Sequence, residues 1–203
     1  MSVLGVGMKK VIIFSVAAVI AVSLMFTGIL TAEKKSGFNI WEVTADKLKK
    51  LNINESLDGV YRIESVKCFG YTGDAEFKIK GDSISAVKFL CGLEYPDNVN
   101  AAKKTVKNFV AAFSRDLSFT FQSEPTVVPF TDSETYKDRP DNKYDALING
   151  FDMLEYSYRD KDGILWLAQI YSPRDCKLTA SVTKINDEMG YEDYEPQIDM
   201  RED

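Results

Sequence analysis

Residues 59–95 read GVYRIESVKCFGYTGDAEFKIKGDSISAVKFLCGLEY. Apolar and polar side chains alternate here with a period of two, the repeat of a strand that buries one face. Three strands are expected, Val60–Gly70, Asp74–Lys80 and Ile84–Tyr95, with turns at Thr72-Gly73 and Gly81-Asp82. A three-residue turn, Gly81-Asp82-Ser83, sets Phe77 opposite Val87 and Ala75 opposite Phe89 on one apolar face. A two-residue turn would move Val87 and Phe89 to the other side, and register follows the buried face. Pairing across Thr72-Gly73 sets Cys68 opposite Phe77. Cys91 then lies about 13 Å along its strand from Val87, so a Cys68–Cys91 disulfide, which needs Cα atoms within about 7 Å, is not expected.

Beyond Tyr95 the period changes. Pro96-Asp97-Asn98 stops the strand and opens a helix to about Ser114, with Asp97 or Asn98 as cap. Val99, Ala102, Val106, Phe109, Val110 and Phe113 form its apolar stripe at spacings of three and four. Lys103, Lys104 and Lys107 share the outer side, either as contacts for an anionic polymer or headgroup or as a solvated face. Leu117–Gln122 alternates again, predicting a half-buried strand. Pro125 and Pro129 bracket Val127-Val128 and confine any continuation to a sheet edge. Thr131–Asp145 is polar; its carboxylates lack the Asp-x-Asp-x-Asp-Gly series of a calcium loop, so no metal is expected. A short helix, Asp141–Asn149, closes at Gly150.

Leu154, Tyr156 and Tyr158 alternate with Glu155, Ser157 and Arg159, and Asp160–Gly163 is the turn of a hairpin. Ile164–Ser172 is almost continuously apolar, as in a strand buried on both faces. After a turn at Pro173–Asp175, Cys176, Leu178, Ala180 and Val182 alternate with Lys177, Thr179, Ser181 and Thr183, a strand with one face to water. Tyr156, Tyr158 and Tyr171 are candidate binding residues, exposed aromatic contacts on a sheet, or else core. From Asn186 to Asp203 there are eight acidic residues and one Arg, a net charge of −7 out of −6 for the whole chain. The rest is therefore +1. Charge this dense opposes packing, and disorder is expected; Tyr191, Tyr194, Ile198 and Met200 would let it dock on a basic, partly apolar partner.

Upstream of the strands, Thr44 caps a short helix, Ala45–Leu51, with Leu48 and Leu51 inward and three lysines outward, a surface helix or one resting on anionic lipid. Before it stands VIIFSVAAVIAVSLMFTGIL, Val11–Leu30: twenty residues without a charge, about 30 Å as a helix and so long enough to span a bilayer. Lys9-Lys10 supplies a basic n-region, and Leu30 two places before Ala32 makes a poor cleavage site. A retained signal anchor is expected, with a removed signal peptide as the alternative. Export of the C-terminal part follows from an early single span, although the flanking lysine pairs leave the orientation weakly specified.

The expected fold is α+β: a two-layer, mostly antiparallel sheet packed against one main helix, preceded by an N-terminal transmembrane or signal helix. The parts are residues 1–32 as anchor or signal, 33–58 as juxtamembrane spacer and short helix, 59–185 as the extracytoplasmic domain and 186–203 as acidic tail.

Functionally the chain is informative mostly by exclusion. It has no histidine, hence lacks the commonest general base and metal ligand. Cys68, Cys91 and Cys176 include no CxxC pair, so zinc and thioredoxin-type readings fail; one disulfide plus a thiol, or three buried apolar residues, remain. Ser85-Ala-Val-Lys88 and Ser181-Val-Thr-Lys184 match Ser-x-x-Lys, but with fifteen Ser and nineteen Lys roughly one match arises by chance, and no Lys-Thr-Gly follows. No cofactor motif and no basic footprint for nucleic acid is present. The expected function is a non-enzymatic, membrane-tethered extracytoplasmic binding or interaction module with an envelope protein or polymer partner. A carboxylate-pair hydrolase and an envelope assembly subunit are the alternatives.

Overall fold

A computed structural model describes residues 39–50, 60–130, 138–173 and 177–186. The chain divides into two compact units, Met1–Ile40 and Trp41–Asp203. The segment Val11–Leu30, the polar loop from 131 to 137, Cys176 and the tail from 187 lie outside the described residues. Among the described residues no helix is long and apolar enough to cross a membrane.

The second unit is an α+β fold built on one seven-stranded sheet, ordered β1-β2-β3-β7-β6-β5-β4. The strands are β1 (Val60–Cys68), β2 (Tyr71–Lys80), β3 (Ser83–Gly92), β4 (Thr126–Pro129), β5 (Asp152–Arg159), β6 (Leu165–Tyr171) and β7 (Thr179–Ile185). Every pairing is antiparallel. The helices are α1 (Ala45–Lys50), α2 (Val99–Asp116) and α3 (Lys143–Ile148).

Phe77 pairs with Val87 and Ala75 with Phe89, the expected register, yet Lys80 pairs with Ser83 across a two-residue turn. The extra residue sits inside the strands, as a bulge between Lys78 and Ile79, because one apolar face must stay continuous whatever the turn length. The first hairpin differs more. Its turn is Phe69-Gly70, Cys68 pairs with Tyr71 rather than Phe77, and Thr72 and Gly73 lie within β2. Gly70 has φ +91°, a conformation that costs glycine nothing, so it and not Gly73 makes the turn. Gly73 is needed for another reason: a Cβ there would stand 2.1 Å from the Leu90 carbonyl oxygen.

Asn98 caps α2, its side chain accepting from the Ala101 N–H at 3.0 Å. The stripe closes on the sheet as expected, with Ala102, Val106, Phe109 and Phe113 fully buried. Phe113 meets Phe69, Tyr71 and Phe89 with ring centroids 5.1, 6.1 and 5.8 Å away, and Phe109 meets Tyr71 at 5.1 Å. Asn142 caps α3 through the N–H groups of Tyr144 and Asp145, and Gly150 ends the turn after it at φ +72°. Thr44 caps α1, which buries Leu48.

Two expected strands are corrected. Leu117–Gln122 is not a strand: Leu117 is the C-cap of α2, Ser118 has φ +59°, and this left-handed residue turns the chain out of extended geometry before any ladder forms. On β7, Ser181 and Thr183 do not face water but are 1 % and 0 % exposed. β7 is the central strand, and its second face shares burial with Leu165, Leu167 and Ile185. The edge position of Val127-Val128 and the two-sided burial of β6 agree with expectation.

Candidate functional site

The outer half of α2 and the turn that follows it enclose a groove of about 560 Å³. One wall is Lys107, Val110, Ala111, Ser114 and Arg115, a single helix face by their spacing. The other is residues 118–123, held by a few hydrogen bonds: the Phe119 N–H donates to the Ser114 carbonyl at 3.1 Å, the Phe121 N–H to Ser114 Oγ at 3.4 Å and the Gln122 N–H to the Ser157 carbonyl at 3.1 Å. The Gln122 amide is fixed further, with Nε2 donating to the Glu155 carbonyl and Oε1 accepting from Ser157 Oγ. Tyr156 of β5 completes the lining, which holds no carboxylate. The left-handed Ser118 turns the chain at the end of α2, so that Phe119–Ser123 runs between the helix and the edge of β5 without forming a ladder strand.

The rim is cationic. Lys103, Lys104 and Lys107 are all exposed, and none makes an ion pair with a described residue. Lys107 lines the groove; Lys103, one turn earlier, shares with it and with Lys143 the task of holding the exposed Glu124 carboxyl below its ordinary value, with the Lys143 hydrogen bond as the main cause. Lys104 is not part of the lining. Arg115 is paired with Asp116 at 2.8 Å. The carbonyl end of α2 carries partial negative charge, so an anion is favoured at Lys107 and Lys103 rather than at Arg115, leaving Val110, Ala111, Phe119 and Phe121 to receive apolar groups.

The three candidate tyrosines do not form one exposed set. Tyr156 is 4 % exposed, and burial beside Tyr144 pushes its hydroxyl upward. Tyr158, on the same face, is stacked on Phe119 with centroids 4.2 Å apart and planes 6° from parallel. It supports the groove wall. Tyr171 pairs with Thr179 on the opposite face and meets Phe130 at 5.9 Å. Hence Lys107 and Tyr156 converge, Lys103 and Tyr158 stand behind them, and Lys104 and Tyr171 lie elsewhere. Sequence reasoning missed Arg115, Phe119 and Gln122, because their approach depends on one backbone dihedral that residue types do not encode.

Two other polar clusters are structural. Arg139 grips Asp152, which is 0 % exposed, through Nε at 2.9 and 3.0 Å and Nη2 at 2.6 Å. Gln169 Nε2 donates to the buried Glu155 at 2.8 Å. Cys68 and Cys91 are buried free thiols, each pushed by burial up to about 12, which makes them poor nucleophiles. Among the described residues no group of three or more Cys, Asp or Glu is placed to hold a metal ion. No family model, no curated protein and no solved structure matches this chain.

Proposed function

We propose that this chain is a non-enzymatic, membrane-tethered extracytoplasmic binding module whose groove takes an acidic, partly apolar segment of an envelope protein. In this reading Val11–Leu30 is the single span, and the sheet and α2 form a two-layer head outside the membrane. The observation that carries it is the groove itself: an apolar trough of about 560 Å³ with Lys107 at its rim and no carboxylate in its lining. Such a lining suits aromatic or aliphatic side chains flanked by carboxylates, since depositing the charge at the rim avoids burying it. The absence of histidine from the chain and the high pKa of both described thiols favour binding over acid–base or thiol catalysis.

The test is a titration of the detergent-solubilised full chain with a random Glu–Tyr copolymer. Binding weakened about fivefold or more by Lys107→Glu, and weakened by salt, is expected for an exposed charge contact. A copolymer that does not bind, or binds Lys107→Glu equally well, overturns the reading. Membrane fractionation with intact-mass measurement tests the tether; a product shortened by about thirty residues and free in the medium would replace the anchor with a cleaved signal.

A further inference from the structure

We infer that the groove along α2 is a docking site for the chain's own acidic segment, residues 187–203, which competes there with the external partner. This rests on the groove reading above and adds its regulation. Three observations support it.

The first is charge. The segment from Asn186 holds eight acidic residues and one Arg against a remainder of +1, and the groove lining carries Lys107 and no carboxylate, the neighbouring Glu124 being bonded to Lys143. The second is composition. Tyr191-Glu-Asp-Tyr194-Glu195 places two aromatic rings three residues apart among carboxylates, the pattern for which an apolar trough with a cationic rim is the complement.

The third is reach. The segment begins after Asn186, whose side chain is anchored to the Ile84 carbonyl at 2.7 Å. Two residues earlier, the Lys184 ammonium lies 5.6 Å from the Trp166 ring, and that ring lies 5.3 Å from Phe119 of the groove wall. Two ring contacts therefore lead from the root of the segment to the groove. Eight residues carry the chain from Asn186 to Tyr194, roughly 16 Å as a flexible coil and about 27 Å when extended. A tether this short holds the segment at an effective concentration in the millimolar range. Even weak recognition then occupies the groove, and an outside ligand meets a competitor.

The experiment uses a fluorescent peptide of the sequence NDEMGYEDYEPQIDMRED, titrated into the full chain in detergent and into a full chain carrying Glu192→Gln, Asp193→Asn and Glu195→Gln. The inference expects the peptide to bind the neutralised chain about three- to tenfold more tightly than the unaltered one, and Lys107→Glu to abolish that binding. A second pair keeps the result independent of folding defects: the neutralised chain carrying Lys107→Glu, which loses the unaltered peptide, should bind a peptide carrying Glu192→Lys. Equal affinity for both chains, or no peptide binding where the Glu–Tyr copolymer binds, overturns the tail inference and leaves the groove reading standing. Failure of both probes overturns the two together.

Discussion

Replacing Gly73 by alanine tests the packing of β2 on β3 at its tightest point. The new Cβ would stand 2.1 Å from the Leu90 carbonyl oxygen, 2.8 Å from Cys91 Cβ and 2.9 Å from the Leu90 carbonyl carbon, whereas Cβ contacts below 3.0 Å are essentially never found. The gap to the oxygen must open from 2.1 Å to at least 3.0 Å. The obstacle is backbone, not a side chain that could rotate, and it belongs to a ladder in which Asp74 pairs with Leu90 and Cys91 with Ala180. Relief therefore displaces two strand pairings at once. Overpacking costs about 1 to 3 kcal/mol, and the upper end applies where backbone must move. For a chain of this size that lowers Tm by about 6 to 12 °C. Gly92→Ala is the control, because nothing lies within 4 Å of its Cβ, and reduced freedom of the unfolded chain leaves it neutral or slightly stabilised. Gly70→Ala and Gly81→Ala fall between: their surroundings are open, but φ of +91° and +64° imposes left-handed strain, about 1 to 2 kcal/mol. Urea unfolding followed by tryptophan fluorescence ranks the four. If Gly73→Ala unfolds within about 0.5 kcal/mol of Gly92→Ala, the close approach is wrong and so is the account of why glycine stands there.

Four further outcomes follow from the same geometry. Arg139→Met leaves Asp152 buried without its guanidinium and should cost about 3 to 5 kcal/mol, most of it recovered by adding Asp152→Leu; a single variant as stable as the wild type in urea would refute this. The Ser181 hydroxyl is buried with no hydrogen-bond partner among the described residues, so Ser181→Ala should be neutral or up to about 1 kcal/mol more stable by calorimetry, and a clear loss would reveal a partner. Burial alone would raise the Asp74 carboxyl, but hydrogen bonds from Arg62 and the Ser65 N–H, with the Arg62 charge, hold it below its ordinary value. Its stabilising contribution is thus present above the usual carboxylate pKa and lost as pH falls through the depressed one; Asp74→Asn should flatten the acid limb of the stability curve, and an unchanged limb in urea titrations from neutral pH downward would refute it. Cys68 and Cys91, buried with pKa values pushed to about 12, should resist iodoacetamide at pH 8 in the native chain and react once denatured, as peptide mass mapping would show.

The parts of this fold legible in the sequence are those where one periodicity meets one environment. The α2 stripe from Ala102 to Phe113 and the apolar run of β6 are of that kind, and each lies where its pattern places it. The register of Phe77 on Val87 was readable for the same reason, since a continuous buried face constrains it more strongly than a turn does. The first hairpin was not, because Thr72-Gly73 and Phe69-Gly70 are equally good turn sequences and only the approach of Leu90 shows that Gly73 serves packing. Alternation on β7 misled in the opposite direction. Ser181 and Thr183 read as solvent-facing, yet the face they share with Leu165, Leu167 and Ile185 is buried, and alternation along one strand cannot report whether its second face is covered.

The groove illustrates a harder limit. Leu117–Gln122 has the composition of a strand, yet with Ser118 left-handed its residues 118–122 form a wall of the groove. Only Gln122 bonds to the backbone of β5, and had the whole stretch entered the ladder there, α2 would have lacked this second groove wall. Instead Phe119 lies flat on Tyr158 and within contact of Trp166, whose ring also receives the Lys184 ammonium near the root of the acidic segment. The −7 of that segment was plain from the sequence, but the groove was not, because the lysine row is spread along a helix and Lys107 meets a second wall only once the turn after the helix is in place. Charge pattern and backbone geometry are thus separately uninformative here, and a Ser118→Gly chain, which keeps the left-handed turn without strain, should preserve the groove where Ser118→Val, β-branched and averse to positive φ, should open it and lose copolymer binding in the same titration.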